Sequence, residues 1–325
     1  MHIQIFCCTF AAFYVHMVKL SIITINYNNA EGLRRTLASV AAQTYRNIEH
    51  IIIDGGSTDG SVDVIREYEE HLHLTHSTIH IQWLSEPDNG IYNAMNHGLE
   101  VALGRRAVNE DHTSNITQNT SPESPCDYIQ ILNSGDILAA PDVTERMISV
   151  LNSLNVNSLN DKIGIPILYG NMLKKDYATG KIIGKSREVE YSLRQYYSAT
   201  MNHDCCYIRR DVYEKYGLYD ENLKIVSDWK WFLQAIGLGN VKPVYVDIDV
   251  TIFDASGISE TNLELRNNER RQVLEEVLPP AVLADYDKHA FEMMQMDRLR
   301  KYHLYGFVYF IERVLFKLEK WHVLC

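Results

Sequence analysis

Apolar residues in this chain fall into short runs separated by stretches of helical spacing. Leu20–Ile25, Ile48–Ile53, Ile79–Leu84 and Tyr128–Leu132 are rich in β-branched and aromatic side chains and predict strands. Ile48–Ile53 lacks polar alternation, as a strand buried on both faces does. Between the first two runs, Leu33, Leu37, Val40 and Ala41 recur at helical spacing over Ala30–Gln43, with Asn28 or Asn29 as the N-cap. Ser61–His71 and Ile91–Leu103 predict further helices, the latter burying Ala94, Met95, Gly98, Val101 and Ala102. This alternation predicts an α/β fold, a mostly parallel, Rossmann-like sheet flanked by helices.

Further along, Ile167–Met172 and Cys206–Ile208 predict strands, Pro243–Phe253 a strand pair, and Glu190–Tyr197 and Arg209–Tyr216 helices. Arg105–Pro125 is polar and without period, which predicts a disordered surface insertion. The N-x-Ser/Thr triplets within it, at Asn115 and Asn119, have no secretory signal to give them meaning. Leu263–Val277, Pro280–Tyr302 and Tyr302–Leu324 predict a C-terminal helical extension. The expected domains are an extension over 1–17, disordered or spurious with Met17 as the native start, a catalytic domain over 18–260, and the helical region 261–325.

Composition narrows the class. Of 325 residues 46% are hydrophobic and 22% charged, ordinary for a globular protein. A net charge of −11 argues against a nucleic-acid partner, which would require a basic face. The six cysteines show no CxxC spacing and predict free thiols in a reducing cytosol. No apolar run reaches the roughly 18 to 20 residues of a membrane span, and residues 3–15 lack the basic flank of a signal peptide. Cytoplasmic placement is expected. Residues 302–325 combine Leu304, Phe307, Ile311, Leu315 and Leu318 with Arg313, Lys317 and Lys320. That pattern suits either peripheral contact with the inner face of the cytoplasmic membrane or packing on the catalytic domain or a partner subunit.

The chemistry gathers where the predicted strands stop. Parallel sheets bind ligands beyond the carboxyl ends of their strands. Here those ends carry Asn26, Asp54, the turn Glu86–Asp88, and Asn133–Ser134–Gly135–Asp136. Such an acidic rim facing an anionic substrate implies a bridging divalent cation, and carboxylate oxygen suits Mg²⁺ or Mn²⁺. A plain turn is the alternative for each of these strand ends taken alone. No G-x-G-x-x-G follows the first strand and no G-x-x-x-x-G-K-[ST] occurs, so dehydrogenase and P-loop readings fall.

The segments SIITINYNN, IIIDGGSTDGS, SEPDNGIYNAMNHGL and YIQILNSGD, in that order, resemble the family 2 glycosyltransferases of the GT-A fold, in particular the bacterial subgroup that builds surface polysaccharides. The resemblance spans residues 18–260 and fades from Asn262. It implies that Asp54 hydrogen-bonds a nucleotide base, most often uracil. It also implies that Tyr27 and Asn28 flank the base and that Asp88 orders the nucleotide pocket. Asp136 stands at the last carboxylate of the family's metal motif, with Ser134 at the first position, so a single carboxylate of the motif reaches the metal. Many relatives have an aspartate at the position of Asn93. The alternative for Asp54 and Asp59 is a tight turn that caps the next helix.

The resemblance also implies that His203, with Asp204 in place of a glutamine, contacts the donor diphosphate or the acceptor sugar; the alternative is a packed structural histidine. In the string SDWKW, Asp228 matches the subgroup's general base, against the alternative of a helix N-cap. An acceptor hydroxyl needs such a carboxylate to take its proton. Trp229 and Trp231, two residues apart, cannot share a helix face, so one is expected to stack on a sugar and the other to lie in the core. FDASGIS resembles a loop that closes over the diphosphate, with Asp254 in support. The expectation is an inverting, metal-dependent transferase using a UDP-linked sugar and a glycan or lipid-linked acceptor. A non-catalytic nucleotide-sugar or glycan-binding domain on the same fold is the alternative. A nucleotidyltransferase would need a Gly-rich basic loop that YNNAEGLRR does not supply.

Overall fold

The computed structural model describes residues 17–108, 114–115, 126–156, 164–254 and 262–322. β1 (Leu20–Asn26), α1 (Ala30–Ala41), β2 (Ile48–Asp54), α2 (Ser61–Leu74), β3 (His80–Ser85) and α3 (Ile91–Ala102) follow the alternation expected from the apolar pattern. Every residue of β1 and β2 is buried. Leu20, Ile22, Ile48 and Ile52 pack in one core with Leu33, Leu37 and Val40 of α1 and Val64, Ile65 and Tyr68 of α2. Residues of opposite parity face α3: a Cβ on Gly98 would lie 2.3 Å from Ile23, so the glycine sets the close approach of helix to sheet.

The sheet has nine strands. β6 (Tyr128–Ile131), β7 (Ile137–Leu138), β8 (Ile167–Asp176), β9 (Lys181–Lys185), β10 (Cys206–Arg209) and β11 (Pro243–Asp254) join the first three, in the order β3-β2-β1-β6-β10-β8-β11-β7 with β9 beside β8. β4 (Ala107–Val108) and β5 (Ser114–Asn115) form a separate antiparallel pair. β1, β2, β3 and β6 are parallel. Beyond β6 the sheet is mixed, because β10 runs antiparallel to both β6 and β8. This reversal matters for the site. It places the 3-10 turn His203–Cys205, which precedes β10, beside the carboxyl end of β6. β11 likewise runs antiparallel to β7, which returns Asp254 to Asp136.

Several elements differ from expectation. Pro243–Asp254 is one strand with register shifts between Tyr245 and Thr251, not a strand pair. β8 continues into a hairpin with β9. The segment expected to be a disordered insertion opens in order: the Arg106 guanidinium is held between Glu86 and Glu100, 3.1 Å from each. Most of the rest of 105–125, like the extension over 1–16 and the loop 255–261, lies outside the described residues.

Helices α4 (Val143–Val156), α5 (Leu193–Ser198), α6 (Arg210–Tyr216) and α7 (Ser227–Phe232) complete the first unit, which ends at Glu269. α8 (Leu263–Val277) runs across that boundary, and α9 (Pro280–Lys301) and α10 (Tyr305–His322) lie in the second unit, Arg270–Cys325. Among the described residues no helix is long and apolar enough to cross a membrane. α10 nevertheless leaves Phe307, Phe310, Leu315 and Leu318 more than half exposed.

Candidate active site

The carboxyl ends of β1, β2, β3 and β6 open on a cavity of about 730 Å³. Tyr27, Asn29, Gly55, Gly56, Pro87 and Asp88 form part of its wall, and Asn133, Ser134, Asp136 and Asp254 another part. Tyr27 is 66% exposed and offers a ring face. Gly55 lets Asp88 lean across: a Cβ there would meet Asp88 Oδ2 at 2.5 Å and Tyr27 Cδ2 at 3.2 Å. Asp88 Oδ1 accepts from Gly90 N at 2.8 Å, which fixes the carboxylate at the start of α3. Gly55→Ala therefore displaces Asp88 rather than unfolding the chain. We expect UDP affinity to fall about tenfold, ~1.4 kcal/mol, with an unchanged melting temperature, as read by calorimetry.

Asp54 is not among the residues that line the cavity. It is fully buried, and both oxygens are engaged by the protein. Oδ1 accepts from Asn26 Nδ2 and Ser57 Oγ at 2.8 and 2.6 Å, Oδ2 from Ser57 N and Ser85 Oγ at 2.9 and 2.6 Å. A carboxylate so saturated organises the Gly55–Ser57 turn from beneath. Asp59 caps: its carboxylate accepts from Ser61 N and from Ala30 N at the head of α1. Asn28 also braces rather than lines. It adopts φ 48°, a conformation asparagine tolerates, and its Oδ1 accepts from Thr58 N at 2.8 Å. Its neighbour Asn29 takes the wall position, donating to the Ser134 carbonyl at 3.1 Å while capping α1. Asn93 accepts from Asn89 N and donates to Glu221 at 2.8 Å, a second bond that an aspartate would turn into repulsion.

Asp136 is 4% exposed, and its Oδ1 accepts from Asp254 N at 2.9 Å. Burial, reinforced by the Asp204 and Asp254 carboxylates, pushes its carboxyl well above the usual range. Asp204, itself buried against Thr251, is also shifted upward by burial. Arg35 Nη2 lies 3.4 Å from Asp254 Oδ2, and its guanidinium stacks 4.6 Å over the Tyr177 ring. Among the described residues no group of three or more His, Cys, Asp or Glu side chains is arranged to hold a metal. The donor set still fits a divalent cation: two carboxylates, Asp136 and Asp254, share one wall, and their crowding is what a cation would relieve. The remaining ligands would come from the substrate's oxygens, as Mg²⁺ sites commonly arrange.

Next to this wall lies a polar chain. Asn133 Nδ2 is 3.3 Å from His203 Nε2, and His203 Nδ1 is 3.1 Å from Asp228 Oδ2. The Tyr92 hydroxyl sits between the Ile225 carbonyl, 2.6 Å away, and Asp228 Oδ1, 2.9 Å away. Burial disfavours the charged form of both Asp228 and His203. Their mutual contact outweighs it, so Asp228 is held below the usual carboxylate range and His203 above the usual imidazole value. A charged imidazole requires Asn133 to turn its carbonyl toward Nε2, and Asn133 Oδ1 is a buried atom without a partner in the present rotamer.

Trp229 lies in the core. It is 2% exposed and its indole N–H donates to the Tyr196 carbonyl at 2.6 Å. Trp231 is equally buried and bonded to the Gly217 carbonyl. Neither ring has a face for a sugar. The structure thus brings Tyr27, Asp88, Ser134, Asp136 and Asp254 to one cavity with His203 and Asp228 beside it. It sets Asp54, Asn28 and Trp229 behind. Arg35 and Tyr92 join the site although they stood only as letters inside quoted strings, while Asn29 had been named only as an N-cap and Asn133 only at the strand end.

The mixed sheet with its flanking helices has the GT-A fold. Residues 21–111 match the family model described as glycosyl transferase family 2. It is 29% identical over 245 residues to an uncharacterized glycosyltransferase of Mycobacterium tuberculosis H37Rv, covering 74% of this chain and 76% of that protein. It is 22% identical over 242 residues to a PGL/p-HBAD biosynthesis glycosyltransferase of Mycobacterium bovis BCG, covering 74% and 79%. Among solved structures, residues 1–349 of Staphylococcus aureus TarS in complex with UDP superpose with a TM-score of 0.54 at 16% identity, covering 85% of this chain and 72% of that one. The chain spans 42% of the longer TarS structure. The mannosyltransferase PcManGT of Pyrobaculum calidifontis, bound to GDP-Man and Mn²⁺, gives 0.51 at 16% identity, covering 81% and 64%.

Proposed function

We propose that this glycosyltransferase is inverting and metal-dependent, and moves a sugar from a UDP-linked donor to a hydroxyl of a glycan or lipid-linked acceptor in cell-surface polysaccharide assembly. The observation that carries the reading is the juxtaposition of the Asp136–Asp254 wall with the His203–Asp228 pair. The fold neighbours solved with UDP and with GDP-Man and Mn²⁺ support a nucleotide diphosphate in such a cavity, and the relative named for PGL/p-HBAD biosynthesis supports a biosynthetic role.

In this reading Tyr27 stacks on the base, while Asp88 accepts from it or from the ribose. Asp136 and Asp254 would hold Mg²⁺ or Mn²⁺, which would supply positive charge against the departing diphosphate. Arg35 adds positive charge at that wall. Asp228 takes the proton of the acceptor hydroxyl. Each of its oxygens already has one partner, and a carboxylate has lone pairs to spare for another. His203 orients the carboxylate and keeps it ionised. A single base and direct attack through an oxocarbenium-like state invert the anomeric carbon. A non-catalytic binding domain would have no use for the His203–Asp228 pair. Calorimetric titration with UDP, with and without Mn²⁺, tests the reading. Metal-dependent binding is expected; absence of binding to any nucleoside diphosphate would overturn it.

The second unit is proposed to meet an anionic membrane surface. Along α10, Phe307, Phe310, Ile311, Val314, Leu315 and Leu318 recur on one arc of the helix and all are exposed. Arg298, Arg300 and Lys301 end α9, and Arg313 and Lys317 lie on the other arc of α10. Deleting residues 302–325 is expected to release the protein from anionic liposomes in a flotation assay. Unchanged partition would reject membrane contact through this helix.

A further inference from the structure

Glu269, on α8, is a carboxylate with 7% exposure. Among the described residues no cation is paired with it. Its partners are three successive backbone amides: Oε1 accepts from Lys224 N at 2.7 Å, and Oε2 from Ile225 N at 2.9 Å and Val226 N at 3.3 Å. Consecutive amides curved about one anion satisfy its charge as well as a cation does. The segment so gripped leads directly into α7 and Asp228. Its N-cap, Val226, has no side chain able to cap. The Ile225 carbonyl in the same segment receives the Tyr92 hydroxyl that also touches Asp228 Oδ1. One carboxylate thereby fixes both the backbone that carries Asp228 and the hydroxyl that orients it.

We propose that Glu269 is a positioning residue for the transfer step, clamping Lys224–Val226 so that Asp228 meets the acceptor hydroxyl in reacting geometry. The proposal rests on the reading of Asp228 as the base. It also makes α8 part of the catalytic apparatus, although the motif resemblance ends before it.

Two variants of the full chain test it. Glu269→Ala removes the acceptor, and Glu269→Gln keeps the volume while losing the charge. Hydrogen exchange of the peptide containing Lys224–Val226 reads the clamp itself, and at least tenfold faster exchange is expected in Glu269→Gln. With a UDP-sugar that the wild type turns over, kcat is expected to fall about a hundredfold in Glu269→Ala, the loss that a misplacement near 1 Å brings, while UDP affinity holds within about twofold. In an Asp228→Asn background the same change is expected to cost nothing further, since both act on one step. Unchanged exchange would overturn the clamp. Loss of kcat together with UDP binding, or full additivity with Asp228→Asn, would reduce Glu269 to a structural group. If the wild type turns over no donor, the assignment of Asp228 falls and takes the catalytic half of this proposal with it, while the exchange measurement still decides the clamp.

Discussion

Asp228→Asn is expected to lower kcat by roughly 10²- to 10⁴-fold, the range contributed by a positioned general base, while UDP affinity in the presence of Mn²⁺ stays within about twofold. The two effects separate because Asp228 does not line the cavity wall; it touches His203 and Tyr92. Asparagine keeps the shape and can still accept from either partner, so folding is not at stake. What disappears is the negative charge that, in the proposed role, receives the acceptor's proton and that faces His203. Parallel loss of turnover and UDP binding would remove Asp228 from the role of base. The pH profile adds an independent sign. Asp228 must be ionised to act, and its carboxyl is held below the usual range by His203 and Tyr92 against the effect of burial. Wild-type turnover therefore declines on the acid side only as pH falls through that depressed value. His203→Gln removes the imidazole that faces Asp228 Oδ2, the proton affinity of Asp228 rises, and the acid limb of kcat moves to higher pH. An unmoved limb would mean that another group limits the rate.

How much of this was written in local sequence can be argued residue by residue. The parallel half of the sheet was legible because β1 and β2 are rich in Leu and Ile without strict polar alternation, as strands buried on both faces are, even though Ser21, Thr24, Glu49 and His50 interrupt the runs. The rim followed, since parallel strands put their carboxyl ends together. Side-chain direction at the rim was not legible. Asp54 in IIIDGGSTDG has the same letters whether it looks into the cavity or underneath it. The decision is made by Asn26, Ser57 and Ser85, which surround it with donors from separate strands and turns. Asp254 was reachable only as a weak suggestion because its partner Asp136 is 118 residues away, joined by the antiparallel pairing of β11 with β7. The tryptophans show a limit of periodicity. Two residues apart on one helix, they must point in different directions, but α7 is enclosed on both, so different faces did not mean that one was free.

Asp136→Ala makes the most demanding claim about the cation. In the wild type, UDP binding is expected to require Mn²⁺ or Mg²⁺. In the variant the dependence is expected to vanish, with affinity at saturating Mn²⁺ falling at least tenfold, about 1.4 kcal/mol. Affinity without metal should not fall, because without the cation the buried Asp136 carboxyl offers the anionic diphosphate no attraction that the substitution could remove. That asymmetry distinguishes the loss of a metal ligand from general damage to the cavity, which would weaken UDP under both conditions. The wild type should show a matching pH effect. Burial and the neighbouring Asp204 and Asp254 carboxylates keep a proton on Asp136 well above the usual carboxylate range. A cation must displace that proton to bind. Metal-dependent UDP binding should therefore strengthen as pH rises through the raised value of Asp136, with proton release seen as a dependence of the calorimetric heat on buffer ionisation enthalpy. Binding of UDP with Mn²⁺ that is indifferent to both pH and Asp136→Ala would place the cation on other ligands and leave Asp136 as a buried acid paired to the Asp254 backbone.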